Sequence, residues 1–458
     1  MAVIRPSFNI NDMETGEQFA HTMRSLDLNI PIAPDSCMLK KEAEVYGRKL
    51  QNSIVIQPME GLDASADGSP GPLTFARYSN FARQGAGTIW FEATAVTSDG
   101  RDSLHQLWLN AGNADSFKGL VNYVNEISME SHGFVPYKIL QITHSGRCSV
   151  DAIGRPRPLA VSDNPYLDLA LGKAEIVSDE YLENLRDSMI GAAKLAKYAG
   201  FDAVDVKLCH QYLLKETLCA YKRAGKYGGS AENRFRLAME IIDGIRQELG
   251  HSLDIAVRLS AYDSLPYPYG WGMVQNPGVM KDDTAEVDLL LDELGKKDVE
   301  LVNITTFEPR FAPEGLGYMA DFLDDAEIDP YRGAAHLLQA TRRLRENHPK
   351  IKFVCTGLAW FAQFAPLVGS GGIRDGWFDL AGFGRNVLAD HGFVPRVLGG
   401  GSPDSNSLCL RCDRCYDMFL RDIPTGCPVH DPFYKLIDRM DRSSGEHCPE
   451  HDTQGSVL

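Results

Sequence analysis

The chain has 458 residues, 44% of them hydrophobic, with 46 Lys plus Arg against 62 Asp plus Glu for a net charge of −16. Length and apolar content suit a globular protein with a sizeable core, either one large domain with additions or about two to three ordinary ones. The acidic balance argues against nucleic acid or an anionic membrane surface as a partner.

The N-terminal stretch MAVIRPSFNINDMETGEQFA holds no long apolar run, and no segment approaches the roughly 18 apolar residues of a membrane span. A cytoplasmic protein is expected. Its ten cysteines then point to metal or redox use rather than to a disulfide framework. Residues 1–50 read as an extension with no assigned place. Short apolar strands are predicted at 53–59, 86–94, 138–146, 202–208, 254–260, 299–306, 352–358 and 378–384. Between most of them lie helical patterns, such as DEYLENLRDSMIGAAKLAKYAG (179–200) and AENRFRLAMEIIDGIRQELG (231–250), each closed by Gly. Strands alternating with helices imply parallel pairing, and eight such units fit a closed (β/α)8 TIM barrel of the α/β class. The barrel is assigned to 51–400 and a cysteine-rich extension to 401–458. That barrel exceeds the ~250 residues typical of the fold, so enlarged loops are expected. One is SAYDSLPYPYGWGMVQNPG (260–278), which reads either as an aromatic roof over an apolar substrate pocket or as an ordinary packed loop.

In such barrels catalytic groups sit where strands end. The stretch DAVDVKLCHQYLLKE (202–216) begins as a strand, then places Lys207, His210 and Tyr212 within six positions. Each can donate a hydrogen bond or a proton. Polar groups recur at other strand ends: Gln141 and His144, Arg258, and Arg385. Taken singly, each reads as a buried residue with satisfied hydrogen bonds. Two Arg residues with Gly357, Gly382 and Gly384 near strands seven and eight suit a phosphate site, because Gly lets backbone amides approach an anion.

These residues carry a resemblance. IQPMEG, FEATAVTSDGR, LQITHSGR, VKLCHQYLLKETL, KYGGSAENRFR, AVRLS and GFGRNVLAD, in that order and spacing, resemble the FMN-binding barrel of the old yellow enzyme family, in particular its 2,4-dienoyl-CoA reductase-like branch. The resemblance spans about residues 50–400. It implies that Pro58, Met59, Glu60 and Ala93 lie along the flavin, that Gln141 bonds its pyrimidine edge, and that Arg258 stands near N1/O2. There a fixed positive charge favours the reduced, anionic flavin. It also implies that Gly357 and Arg385 hold the phosphate while Gly384 lets the chain approach it. In the family a His pair, or His with Asn, polarises the substrate carbonyl, and a following Tyr protonates the α-carbon. Here Lys207 and His210 take the pair's positions and Tyr212 the donor's. Lys207 departs from the pattern; it either activates the carbonyl or pairs with a carboxylate in the pocket.

The tail places Cys409, Cys412, Cys415 and Cys427 as C-x2-C-x2-C-x11-C, a set that fits zinc or an iron-sulfur cluster. The family branch carries a 4Fe-4S cluster here, with three residues between its second and third cysteines where this chain has two, so a 4Fe-4S cluster is the expectation. His430 and Cys448 are candidate spare ligands. Cys37, Cys148, Cys209, Cys219 and Cys355 are expected as small core residues. No G-x-G-x-x-G follows a strand, so the FAD- and nicotinamide-binding domain that often continues this branch is not expected within the chain.

The sequence thus implies an FMN-dependent ene-reductase acting on an α,β-unsaturated carbonyl compound, such as an enoyl thioester, a steroid or bile-acid enone, or an enoate. NAD(P)H or a redox partner protein would supply electrons, and a homo-oligomer is expected. The alternatives are a flavin-dependent amine dehydrogenase or demethylase, an electron-transfer flavoprotein subunit, and an inactive zinc-stabilised scaffold.

Overall fold

The computed structural model describes residues 10–277, 281–306 and 330–444. Eight parallel strands, β1 (Ile54–Ile56), β2 (Thr88–Ala95), β3 (Tyr137–Thr143), β4 (Ala203–Val206), β5 (Asp254–Ser260), β6 (Leu301–Thr305), β7 (Lys352–Cys355) and β8 (Leu380–Phe383), pair in chain order. The pairing of β8 with β1 closes the barrel. None strays more than one residue outside its predicted span. Several stop short of it, at 57–59, 144–146 and 356–358, because there the chain leaves the ladder to form the barrel mouth.

Among the described residues a helix of about ten or more residues follows each of the first seven strands: α1 (Pro72–Ala82), α2 (Ala114–His132), α3 (Asp179–Ala199), α4 (Ala231–Leu249), α5 (Ala285–Lys296), α6 (Pro330–Asn347) and α7 (Ala365–Arg374). Caps set their ends. Ser178 accepts from Tyr181 N at the start of α3, and Gly200, at φ 93°, closes it in the left-handed conformation. The period-2 alternation of the strands then sorts their side chains. Val55, Trp90, Ile139, Ala203, Ala256, Leu301, Val354 and Leu380, one from each strand, form an apolar cluster inside the barrel. The alternate residues, among them Ile54, Ile89, Leu140, Val204, Val257 and Val302, join the larger core under the helices.

The N-terminal segment has a place after all. An antiparallel hairpin, Ala43–Val45 with Arg48–Leu50, adds Val45 and Leu50 to the interior cluster. Between its strands, Tyr46 Oη accepts from Glu300 N at 2.9 Å and donates to the Ile255 carbonyl, so the hairpin plugs the barrel beneath the strands. Earlier, the helix Gly16–Ser25 stacks Phe19 on Phe364 at 4.5 Å. Sequence alone hides this placement because every contact is with residues distant in the chain.

Two short helices, α8 (Arg385–Ala389) and α9 (Phe393–Leu398), lead into the tail, where α10 (Arg414–Leu420) and α11 (Pro432–Ser444) are joined through the buried Asp438, which receives Arg414, Arg421 and Arg442. The tail docks on the barrel. Thr425 N donates to Gly61 O at 2.7 Å, while the buried Arg77 of α1 pairs with Asp63 at 3.0 Å and also donates to the Thr425 carbonyl. Among the described residues no helix is long and apolar enough to cross a membrane.

At the mouth, Tyr181 Oη donates to Asp99 at 2.8 Å and accepts from His144 Nε2 at 2.7 Å, while His144 Nδ1 accepts from Gly146 N. Burial lowers the His144 pKa to about 4.

Two predictions follow from these contacts. Arg77→Met strands the Asp63 carboxylate in the interior; urea unfolding is expected to show a loss of about 3–5 kcal/mol, with faster proteolysis of the tail. The neutral His144 cannot take up a proton between its unfolded value of about 6.5 and its folded one, whereas the unfolded chain does. Stability therefore falls as pH drops through that window, and His144→Gln is expected to flatten this acid limb by on the order of 2 kcal/mol in denaturation curves at pH 7 and 5.

Candidate active site

Along β4, Ala203 and Asp205 point inward, and Lys207 continues their parity past the strand end. Leu208 is then tied to β5, its N–H donating to Arg258 O at 2.8 Å. His210 and Gln211 follow with φ of 59° and 56°, two consecutive non-glycine residues in the left-handed region. Each such residue costs on the order of 1–3 kcal/mol and persists only where its surroundings enforce it. This turn lets Tyr212 begin the short helix Leu213–Leu218 instead of prolonging the strand. Its result is that Lys207, His210 and Tyr212 all line one cavity of about 380 Å³ at the barrel mouth.

The same cavity is lined by Pro58, Met59 and Glu60 after β1, Gln141 on β3, Arg258 on β5, Gly357 after β7, and Gly384 and Arg385 after β8. Of the residues expected along a flavin, only Ala93 is not among the lining; it is buried, and its carbonyl accepts from Gln106 Nε2 at 3.3 Å. The β2–β3 register shifts between Phe91 and Thr94, which local alternation does not reveal.

Electrostatics at the cavity centre on two groups of contacts. Tyr212 Oη donates to Glu60 Oε1 at 2.7 Å and lies 3.2 Å from Asp102 Oδ2. Lys207 Nζ is 3.4 Å from the same Glu60 oxygen and 3.2 Å from the centre of the Tyr212 ring, so it is paired with a carboxylate of the cavity. Burial, and then the cations Arg258, Lys207 and Lys215, hold the His210 pKa well below its usual value, which leaves a neutral imidazole 3.3 Å from Thr305 Oγ1. Deeper, Asp205 accepts from Gln141 Nε2 at 2.6 Å, Trp90 Nε1 at 2.8 Å and Arg258 N at 2.7 Å, and burial raises its carboxyl to about 6.

The cavity fits FMN on its own evidence. Arg258 Nε is buried without a hydrogen-bond partner among the described residues. Gly357 adopts φ 83°, and a Cβ on Gly384 would stand 3.3 Å from Met59 Sδ, so backbone forms the wall there. Arg385 pairs with Asp413 of the tail, which leaves part of its five-donor guanidinium for a phosphate.

The four tail cysteines line a second cavity of about 20 Å³, together with His430 and Arg385. All four are free thiols, and Cys415 borders both cavities. They converge without closing to ligand spacing: among the described residues no set of three His, Cys, Asp or Glu side chains stands close enough to hold a metal ion. The donor set, four sulfurs around one small space, still suits zinc or an iron-sulfur cluster. His430 Nε2 is engaged with Leu408 O at 2.8 Å, and Cys448 lies outside the described residues.

Other expectations resolve differently. His144 is absent from the cavity lining, and so is the aromatic loop. Trp271 is fully buried, donating to Ser260 O at 2.9 Å, and Tyr262, Tyr267 and Tyr269 rest on His336, Tyr221 and Tyr166. The loop is packed rather than roofing the pocket; Gly278, its last residue, lies outside the described residues. Cys209, Cys219 and Cys355 are buried as expected, but Cys37 is exposed. Sequence reasoning missed Asp205, although it shares the inward parity of Lys207. It also missed the tail's contribution to the cavity wall through Asp413, Tyr416, Phe419 and Thr425, for which the sequence carries no local signal.

Residues 44–284 match the model of the NADH:flavin oxidoreductase / NADH oxidase family. An NADH:flavin oxidoreductase of Gibberella zeae is 26% identical over 361 residues, covering 71% of this chain and 82% of that protein. An NADPH dehydrogenase of Bacillus licheniformis is 31% identical over 221 residues, 47% of this chain and 62% of the relative. Among solved structures, a 2-naphthoyl-CoA reductase complex superposes with a TM-score of 0.69 at 18% identity, over 86% of this chain and 57% of that one, which supports the barrel fold. With the family match spanning more than half its length, the chain belongs to the NADH:flavin oxidoreductase / NADH oxidase family of flavin-dependent oxidoreductases.

Proposed function

We propose that the protein is an FMN-dependent ene-reductase that saturates the C=C bond of an α,β-unsaturated carbonyl compound, with a 4Fe-4S cluster on Cys409, Cys412, Cys415 and Cys427. The observation that carries this reading is that Tyr212, His210 and Lys207 line the same cavity as Gln141, Arg258, Gly357, Gly384 and Arg385. Those five residues would hold FMN, which, once reduced by NAD(P)H or a protein donor, would supply hydride for the β-carbon. The remaining work falls to the chain. Reduction builds negative charge on the carbonyl oxygen, and a neutral His210 in a partly desolvated cavity offers it an N–H donor. Lys207 adds positive charge beside it. Tyr212, whose hydroxyl donates to Glu60 Oε1, gives its proton to the α-carbon. A cluster at the four cysteines would stand next to the cavity through Cys415, which suits electron delivery from a partner protein.

Anaerobic purification followed by flavin, iron and sulfide analysis tests the cofactor set, and enone turnover with NADH, NADPH or a reduced electron carrier tests the reaction. Flavin without any enone turnover would overturn the ene-reductase reading. Tyr212→Phe is expected to slow alkene reduction about 10²- to 10⁴-fold while flavin content and flavin reduction by the donor stay at wild-type values. Cys412→Ser is expected to abolish bound iron and sulfide; iron at the wild-type level would remove Cys412 from the ligand set.

A further inference from the structure

The turn that carries His210 is pinned at both ends by backbone bonds. Leu208 N–H donates to Arg258 O at 2.8 Å, and Leu213 N–H donates to His144 O at 3.0 Å. Between them His210 and Gln211 hold φ of 59° and 56°, a backbone that is strained for residues with a side chain and that only its surroundings maintain. The His210 ring meets Thr305 Oγ1 at 3.3 Å, at the long edge of a hydrogen bond. The firmer tie is at Gln211, whose Oε1 accepts from Lys215 Nζ at 2.8 Å. Gln211 is 2% exposed and stands outside the cavity lining, so this tie holds the turn from behind and leaves the site open.

Lys215 is itself held. It is fully buried and pairs with the equally buried Asp263, whose Oδ2 also accepts from Trp271 N at 2.8 Å. Its Nζ stands 3.7 Å from Cys219 Sγ as well. A buried ion pair is a poor source of stability, because the cost of desolvating both charges offsets their attraction. What this pair supplies is direction. The Asp263 carboxylate fixes the ammonium, and the ammonium fixes the side-chain oxygen of Gln211 one helical turn earlier.

We propose that Lys215, oriented by Asp263, is a positioning residue for the reaction: by holding Gln211 it keeps the His210–Gln211 turn left-handed, and so keeps His210 and Tyr212 facing the cavity. The inference rests on the ene-reductase reading. Lys215 is outside the cavity lining and acts through one side chain. Without that tie Gln211 relaxes toward negative φ, the range its side chain prefers, and the rotation carries to the residues on either side. His210 then leaves the place from which it donates to the carbonyl oxygen, and Tyr212 leaves the α-carbon. Gln141, Arg258 and Arg385 stand on or after other strands and keep their places at the cavity.

Gln211→Ala and Gln211→Gly in the holoenzyme separate this role from the filling of space. Both remove the tie and both leave a hole, the larger one in the Gly variant, but Gly adopts a left-handed backbone freely and Ala does not. Gln211→Ala is expected to lower kcat for alkene reduction about tenfold or more while flavin reduction by the donor keeps its rate, and Gln211→Gly to recover most of that loss. A Gly variant as slow as the Ala variant, or slower, overturns the proposal. Lys215→Met combined with Asp263→Asn removes both charges while an amide oxygen still accepts from Trp271 N. That variant is expected to match Gln211→Ala, and adding Gln211→Ala to it to cost nothing further. Full additivity would overturn the proposal; if the combined variant does not fold, the Ala and Gly variants, which keep Lys215 and Asp263, decide alone. Nitrogen-15 resonances of the His210 imidazole, assigned with His210→Asn, read the turn without any substrate. They are expected to move in Gln211→Ala and to return in Gln211→Gly, and no movement in Gln211→Ala equally overturns the proposal. A wild-type enzyme that reduces no enone sinks the ene-reductase reading instead, and the resonances still report on the hold of Lys215.

Discussion

The buried carboxyl of Asp205 is the contact on which the mouth of this barrel is organised. It accepts from Trp90 on β2, Gln141 on β3 and the Arg258 amide on β5, and so joins four adjacent strands across the barrel interior. An acidic group with no exposed surface is costly unless its oxygens are satisfied, and burial accordingly raises its pKa to about 6. Those three donors fix Gln141 and keep the β4–β5 register that sets Arg258 facing the cavity. Below this level the interior is apolar; above it the interior is polar and opens to the site.

The end of β4 completes the constellation at a local cost. Two successive left-handed residues, His210 and Gln211, bend the chain from strand to helix within a few positions. An extended strand would send alternate residues to opposite faces. The turn breaks that rule and brings Lys207, His210 and Tyr212 to one cavity, where the Lys207–Glu60–Tyr212 contacts hold them. The buried pair of Lys215 with Asp263 ties the following helix to the packed aromatic loop. That pairing helps explain why the loop supports the site from behind rather than covering it.

The tail is part of the same site. Through Thr425, Gly61, Arg77 and Asp63 it is fixed to the loop that carries Glu60, and Asp413, Cys415, Tyr416 and Phe419 supply cavity wall. Cys415 and Arg385 border both the large cavity and the small one lined by the four cysteines. A change at the cysteine centre therefore has a short mechanical and electrostatic route to the catalytic cavity, and loss of the tail would open it to solvent.

Much of this was legible in the chain. Strand and helix periodicity gave all eight barrel strands within a residue or by overshoot, because side-chain alternation and capping are local properties. Residue type at strand ends, with the motif resemblance, marked Lys207, His210, Tyr212, Gln141, Arg258 and the glycine-rich approach to Arg385. What local pattern does not encode is contact between distant segments. The plug formed by the hairpin at Ala43–Leu50, the register shift between Phe91 and Thr94, the burial of the aromatic loop and the tail's place in the cavity wall all depend on long-range packing. So does the bracketing of Tyr212 by Glu60 and Asp102, which are separated from it by 152 and 110 positions. The sequence determined the chemistry available at the barrel mouth; only the tertiary structure decided which groups touch, because hydrogen-bond partners are fixed by the closure of the barrel and not by distance along the chain.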